Sequence, residues 1–122
     1  MSVIALDFDG TMSRDVETFL EVADLWQKAG FTVYVVTMRF SSEAIDPIVS
    51  DRLPIIYTGR KGKKAFMEDR LNIPVTIWVD DNPIFVLMDA YEEASADPNA
   101  PYNKWHDDKY EAYRTTKADL AI

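Results

Sequence analysis

Two carboxylates spaced by one residue, Asp7 and Asp9, stand at the end of the apolar run Val3-Ile4-Ala5-Leu6 and lead straight into Gly10-Thr11. Such a run reads as a buried strand, and side chains at i and i+2 of extended backbone share a face. Asp7 and Asp9 are therefore expected to converge on one point at the strand's carboxyl end. Carboxylates brought together repel unless a cation or a shared proton relieves them. That implies metal binding or an acid/base pair. A strand running into an ordinary Asp-Gly turn is the plainer alternative.

Further polar residues follow the same plan. Asp80-Asp81 end the apolar run Val75-Thr76-Ile77-Trp78-Val79, and Thr37 ends the β-rich run over 31–36. Lys61, Lys63 and Lys64 begin a helical pattern that reaches Leu71. Cations are disfavoured at the N-terminal end of a helix dipole, so an anion nearby, carboxylate or phosphate, would compensate them.

The elements that must position these residues alternate. Strands are expected over 2–7, 31–36, 54–57 and 75–79. A helix is expected from Asp15 to Ala29, where Val16, Phe19, Leu20, Ala23 and Trp26 recur at helical spacing and Gly30 marks the stop. Ser41-Ser42-Glu43 can cap a short helix running toward Ser50, with Pro47 limiting its regularity. Another helix begins near Pro83 and includes Phe85, Leu87, Met88 and Tyr91. Strand-helix-strand alternation with near-continuous apolar strands predicts an α/β fold: a single Rossmann-like three-layer domain on a mainly parallel central sheet. Open sheets of this kind place ligands outside the carboxyl ends of their strands, where the polar residues fall. Residues 94–101 read as a loop. Tyr102, Trp105, Tyr110 and Tyr113 suggest a C-terminal helical tail within the one domain spanning 1–122. A fifth strand has no clear place.

Four segments in order resemble the haloacid dehalogenase-like (HAD) superfamily, specifically its Mg2+-dependent phosphatases. They are Leu6-Asp7-Phe8-Asp9-Gly10-Thr11, then Val35-Val36-Thr37 followed by Arg39, then the lysines at the helix start, then Trp78-Val79-Asp80-Asp81-Asn82-Pro83. The resemblance covers about residues 2–90. It implies that Asp7 is a nucleophile forming an aspartyl-phosphate, which splits one hard hydrolysis into two easier steps. It implies that Asp9 protonates the leaving alkoxide and later deprotonates water, a role needing a raised pKa that burial beside Asp7 would supply. Mg2+ would bridge Asp7, the Asp9 backbone carbonyl and Asp81, with Asp80 orienting its neighbours. Thr37 and Gly10 would serve the substrate, the first as a donor to phosphoryl oxygens and the second as room for the chain to turn close to it.

The motif lysine is expected to be Lys63, which shares a helix face with Phe66, Met67 and Leu71, with Lys64 the alternative. Arg39 and Arg60 either grip substrate or sit at loop tips. Only 25 residues separate Thr11 from Thr37, filled by one helix and one strand, so no cap domain is expected. The expected substrate is a nucleotide or another small phosphate ester. A phosphatase of a nucleic-acid end or phosphoprotein, or a binding module without turnover, is the alternative. A dehalogenase does not need Asp9 or Mg2+, and a signalling receiver would place its adjacent acids first, not last.

Composition sets the outer bounds. A formal charge of −8 argues against extended nucleic-acid binding, though not against one small phosphate held at a local cationic point. There is no cysteine, and His106 is the single histidine, which disfavours thiolate or histidine metal sites and a catalytic histidine. No apolar run approaches a membrane span, and a cytoplasmic location is the default expectation. Oligomerisation is left open.

Overall fold

The computed structural model describes residues 2–90. Of these, residues 2–89 fall within one compact unit. Four short strands form a single all-parallel sheet: β1 (Val3–Leu6), β2 (Thr32–Thr37), β3 (Ile55–Tyr57) and β4 (Ile77–Val79). Their order across the sheet is β3-β2-β1-β4. The chain thus steps outward from β1 through β2 to β3, then returns to the opposite flank of β1. Ile4 sits beside Val33 on one side and Ile77 on the other. In an open parallel sheet, that reversal leaves a crevice outside the carboxyl ends of the two strands flanking it. Here those strands are β1 and β4.

Each face of the sheet has its own apolar cluster, so successive residues of β1 are buried in opposite directions. Ile4, Leu6, Val33 and Val35 pack with Leu20 and Ala23 of α1 (Val16–Lys28) and with Val49 of α2 (Pro47–Ser50). On the other face, Ala5 and Val36 pack with Met67. Burial on both faces explains why β1 carries no polar side chain until the chain leaves the sheet. The apolar stripe expected on the first helix is the one that α1 turns to the sheet. Asp15 caps that helix, accepting from the Thr18 N–H at 3.1 Å.

The remaining helices differ from the pattern-based expectation. Residues 41–46 are not helical, and α2 begins only at Pro47. Pro47 starts this helix instead of disturbing one, because its fixed φ and missing N–H suit the first helical position, and Asp46 caps it through the Ile48 N–H at 2.9 Å. The segment expected as one helix from Lys61 to Leu71 is α3 (Lys63–Ala65) followed by a π-helical turn over Phe66–Arg70. Its wider hydrogen bond, Leu71 N–H to Phe66 O at 3.2 Å, accompanies the complete burial of Met67 under the sheet. Thr76 lies before β4 and clips β1 instead, bonding Val3 through both its hydroxyl and its N–H. The helix after Pro83, α4, covers only Ile84–Leu87, and Met88 is extended. Tyr91, the loop at 94–101 and the aromatic tail lie outside the described residues. No helix among the described residues is long and apolar enough to cross a membrane.

Candidate functional site

Asp7 is the first residue beyond β1, and its N–H still bonds the Val79 carbonyl at the end of β4 at 2.9 Å. That bond fixes where the Asp7 side chain leaves the sheet. Lys63, the first residue of α3, reaches the same place: its ammonium donates to Asp7 Oδ1 at 2.7 Å and to Asp80 Oδ2 at 2.6 Å. All three side chains are nearly sealed from water, with exposures of 8% for Asp7, 4% for Lys63 and 3% for Asp80. Of the three lysines, the fold selects Lys63, and Lys61 and Lys64 are exposed at the surface. The cation at the helix start has the anionic neighbours that its position demanded.

Thr11 ties the other half of the cluster. Its hydroxyl lies 3.2 Å from Asp7 Oδ2 and 3.0 Å from Asp81 Oδ1, and it accepts the Asp81 N–H at 3.0 Å. One O–H proton is therefore shared between two carboxylates. Asp80 is held through its second oxygen as well, which accepts the Asn82 N–H at 2.9 Å. In the sequence, Thr11 has a place in the first family-like segment and in a turn, but no role of its own. Its β-hydroxyl four residues after Asp7, in a chain segment that must bend, was the available signal.

Gly10 has φ +84°, and a Cβ there would stand 2.5 Å from Asp81 Oδ2. Both facts demand glycine. Its expected purpose was room beside the substrate; the structure shows that the room accommodates the Asp81 carboxylate.

Asp7, Asp80 and Asp81 each offer one oxygen within 4.8 Å of the others. Burial above all, with the neighbouring Asp80 and Asp81 carboxylates adding to it, pushes the Asp7 carboxyl up from 3.8 to about 7, against the opposing pull of the Lys63 ammonium. Fully ionised, three carboxylates against one ammonium leave a surplus of two negative charges. An all-oxygen donor set with that surplus fits a hard divalent cation. A further sign lies next door: Asn82 Oδ1 is a buried acceptor without a hydrogen-bond partner, suited to a donor such as a cation's hydrating water.

The expected convergence of the Asp9 carboxylate with Asp7 does not occur. Asp9 does not join the acid cluster; its side chain is 56% exposed and paired with Arg39. The i, i+2 rule holds only while the backbone stays extended, and here the strand ends at Leu6. Bonds from Thr11 N–H to Phe8 O and from Met12 N–H to Asp7 O turn the chain between the two aspartates, so their side chains part. Burial beside Asp7 is thus not what surrounds Asp9.

Thr37 closes β2 where expected but is almost wholly buried; its Oγ1 accepts the Arg39 N–H at 3.2 Å, which leaves its own O–H as a donor. Arg39 itself faces Asp9. Arg60 donates to the Met38 carbonyl at 2.8 Å and pairs with Glu43, its guanidinium lying over the Phe40 ring. Glu43 is held below the usual carboxylate range by the Phe40 N–H first and by Arg60 next.

No protein-family model, curated protein or solved structure matches this chain.

Proposed function

We propose that the chain is a Mg2+-dependent phosphatase that hydrolyses a phosphomonoester through an aspartyl-phosphate on Asp7, within a Rossmann-like fold that carries no cap domain. The observation that carries this reading is the Lys63 ammonium bonded to both Asp7 and Asp80 just beyond the carboxyl ends of β1 and β4, with Asp81 beside them. A carboxylate can attack a phosphate only where the negative charge of both is offset. Lys63 supplies one positive charge and holds Asp7 Oδ1 in a fixed direction. Asp7 and Asp81, with the Asp9 backbone carbonyl, would hold Mg2+, while Asp80 keeps Lys63 in place. Bound there, the cation would supply the remaining charge neutralisation.

Asp7 then forms the new P–O bond as the ester P–O bond breaks, and Asp9 delivers a proton to the departing oxygen. In the second half, Asp9 takes a proton from water as that water displaces Asp7 from phosphorus. The Thr37 O–H would donate to a phosphoryl oxygen, and Lys63 would stay with Asp7 through both halves. The expected substrate is a nucleotide or other small phosphate ester, as the net charge of −8 favours a compact anion over a long polyanion.

One observation favours a second reading, a binding module without turnover: the Asp9 carboxylate faces solvent and Arg39, away from the acid cluster. Phosphate release from p-nitrophenyl phosphate and a panel of phosphorylated metabolites, with and without Mg2+, separates the two. Release that requires Mg2+ supports the phosphatase. Binding of Mg2+ with no release from any ester overturns it in favour of the module.

A further inference from the structure

Asp9 is the expected catalytic residue that stands outside the buried cluster, and Arg39 determines where it stands. Arg39 Nε donates to Asp9 Oδ2 at 2.9 Å and Nη2 donates to Oδ1 at 2.8 Å, a two-pronged grip on the carboxylate. Nη1 donates to the Glu43 carbonyl at 3.1 Å. The guanidinium lies 5.1 Å from the centre of the Phe8 ring, between Asp7 and Asp9 in sequence. Three of its five N–H groups thus serve protein acceptors, and the Nε–Nη2 edge, which would meet a phosphate with two parallel bonds, is occupied by Asp9.

The loop behind Arg39 is braced to keep it there. The Glu43 carboxylate accepts the Phe40 N–H at 2.9 Å and pairs with Arg60 at 3.1 Å. Arg60 has φ +69°, a left-handed conformation unfavourable for a side chain of its kind, and both its N–H and Nη1 bond the Met38 carbonyl. Strain of that kind persists only where the surroundings enforce it. Such bracing is more than an exposed ion pair needs for stability, since such a pair is worth about 0–1 kcal/mol.

We propose that Arg39 is a positioning residue for proton transfer: it acts through Asp9, holding that carboxylate for the leaving-group oxygen, and does not grip the phosphoryl group. This rests on the phosphatase reading above. The test is kcat/KM, in Mg2+, for phosphomonoesters whose leaving groups run from p-nitrophenol to simple alkyl alcohols. An activated phenolate departs with little need of a proton, whereas an alkoxide needs one. Arg39→Ala is expected to lower kcat/KM for alkyl esters roughly 10²-fold, the scale of a misplaced reacting group, and to lower it much less for p-nitrophenyl phosphate. Arg39→Lys, which keeps the charge but not the fork, should recover only part of the alkyl activity. Combining Arg39→Ala with Asp9→Asn should lose little beyond Asp9→Asn alone, and inhibition by inorganic phosphate should stay close to wild type.

Equal losses across all leaving groups, additive losses in the double variant, or weakened phosphate inhibition would each overturn the proposal while leaving the phosphatase reading intact. A wild-type chain that hydrolyses none of the esters overturns that reading and this inference together.

Discussion

Two ion-paired regions flank Asp7, and they differ in what water is allowed to do. Toward β4, Asp7, Lys63, Asp80 and Thr11 are nearly sealed, and each side-chain oxygen of Asp7 and Asp80 has a partner within 3.2 Å. Toward β2, Asp9 and Arg39 make equally short bonds, but their side chains are 56% and 29% exposed. Distances alone would rank the two regions together. Burial separates them: a sealed charge left without its partner is expensive, whereas an exposed one is rehydrated. The sealed region therefore holds its charges in a fixed arrangement, whereas the open one leaves the Asp9 carboxylate within reach of water.

The sharpest way to break the comparison is to remove the charge at its centre. Asp7→Asn should lower phosphate release by more than about 10³-fold while circular dichroism reports an intact fold. Full activity in that variant would show that Asp7 is not the nucleophile. Lys63→Met leaves Asp7 and Asp80 facing each other in a dry pocket and is expected to destabilise the chain by about 3–5 kcal/mol, read from urea unfolding. A loss no larger than that of a surface lysine would show that the pocket admits water.

The pH dependence should also mark the sealed region. With Asp7 at about 7 in the fold against an ordinary 3.8, the folded chain keeps a proton that the unfolded chain releases. Stability from this group is thus fully present below about pH 4 and lost as pH rises toward 7. The melting temperature measured in chelator should fall across that window in the wild type, and Asp7→Asn should flatten that part of the fall. Mg2+, which requires the ionised form, should bind more tightly as pH rises through the same range.

Smaller effects follow. Thr11→Val keeps the shape but deprives two carboxylates and one N–H of their shared partner, an expected loss of about 1–3 kcal/mol. Calorimetric titration should show Mg2+ affinity weakened about 10-fold or more. The open region should give the least: Arg39→Ala is expected to change unfolding free energy by about 0–1 kcal/mol. A loss comparable with that of Lys63→Met would erase the distinction between the two regions.

Much of this arrangement could be read in the chain before folding. The run over 3–6 is wholly apolar and the one over 31–36 is β-rich, so strands covered on both faces were their natural reading, and each is followed by its polar residue at the carboxyl end. The acid pair after β4 was legible for the same reason. The helix face expected to join Lys63 to Phe66, Met67 and Leu71 holds only for Met67, buried like Lys63, since the π-helical turn intervenes and Leu71 is exposed beyond it. The errors share a different cause. The helix expected from 41 failed because Asp46-Pro47 is a stronger local start than Ser41-Ser42-Glu43. The convergence of Asp7 and Asp9 failed because a period-2 rule was carried one residue past the end of its strand.

The sequence by itself determined which chemical groups arrive at the sheet's carboxyl edge and in what order, because strand and helix periodicities are local properties of side-chain size and polarity. Only the tertiary structure decided which groups meet. Lys63 finds Asp7 across 56 residues and Thr11 finds Asp81 across 70, while Asp9 is turned from Asp7 to Arg39. Those pairings depend on strand order, on where the backbone turns, and on which charges water is kept from, none of which a local pattern contains.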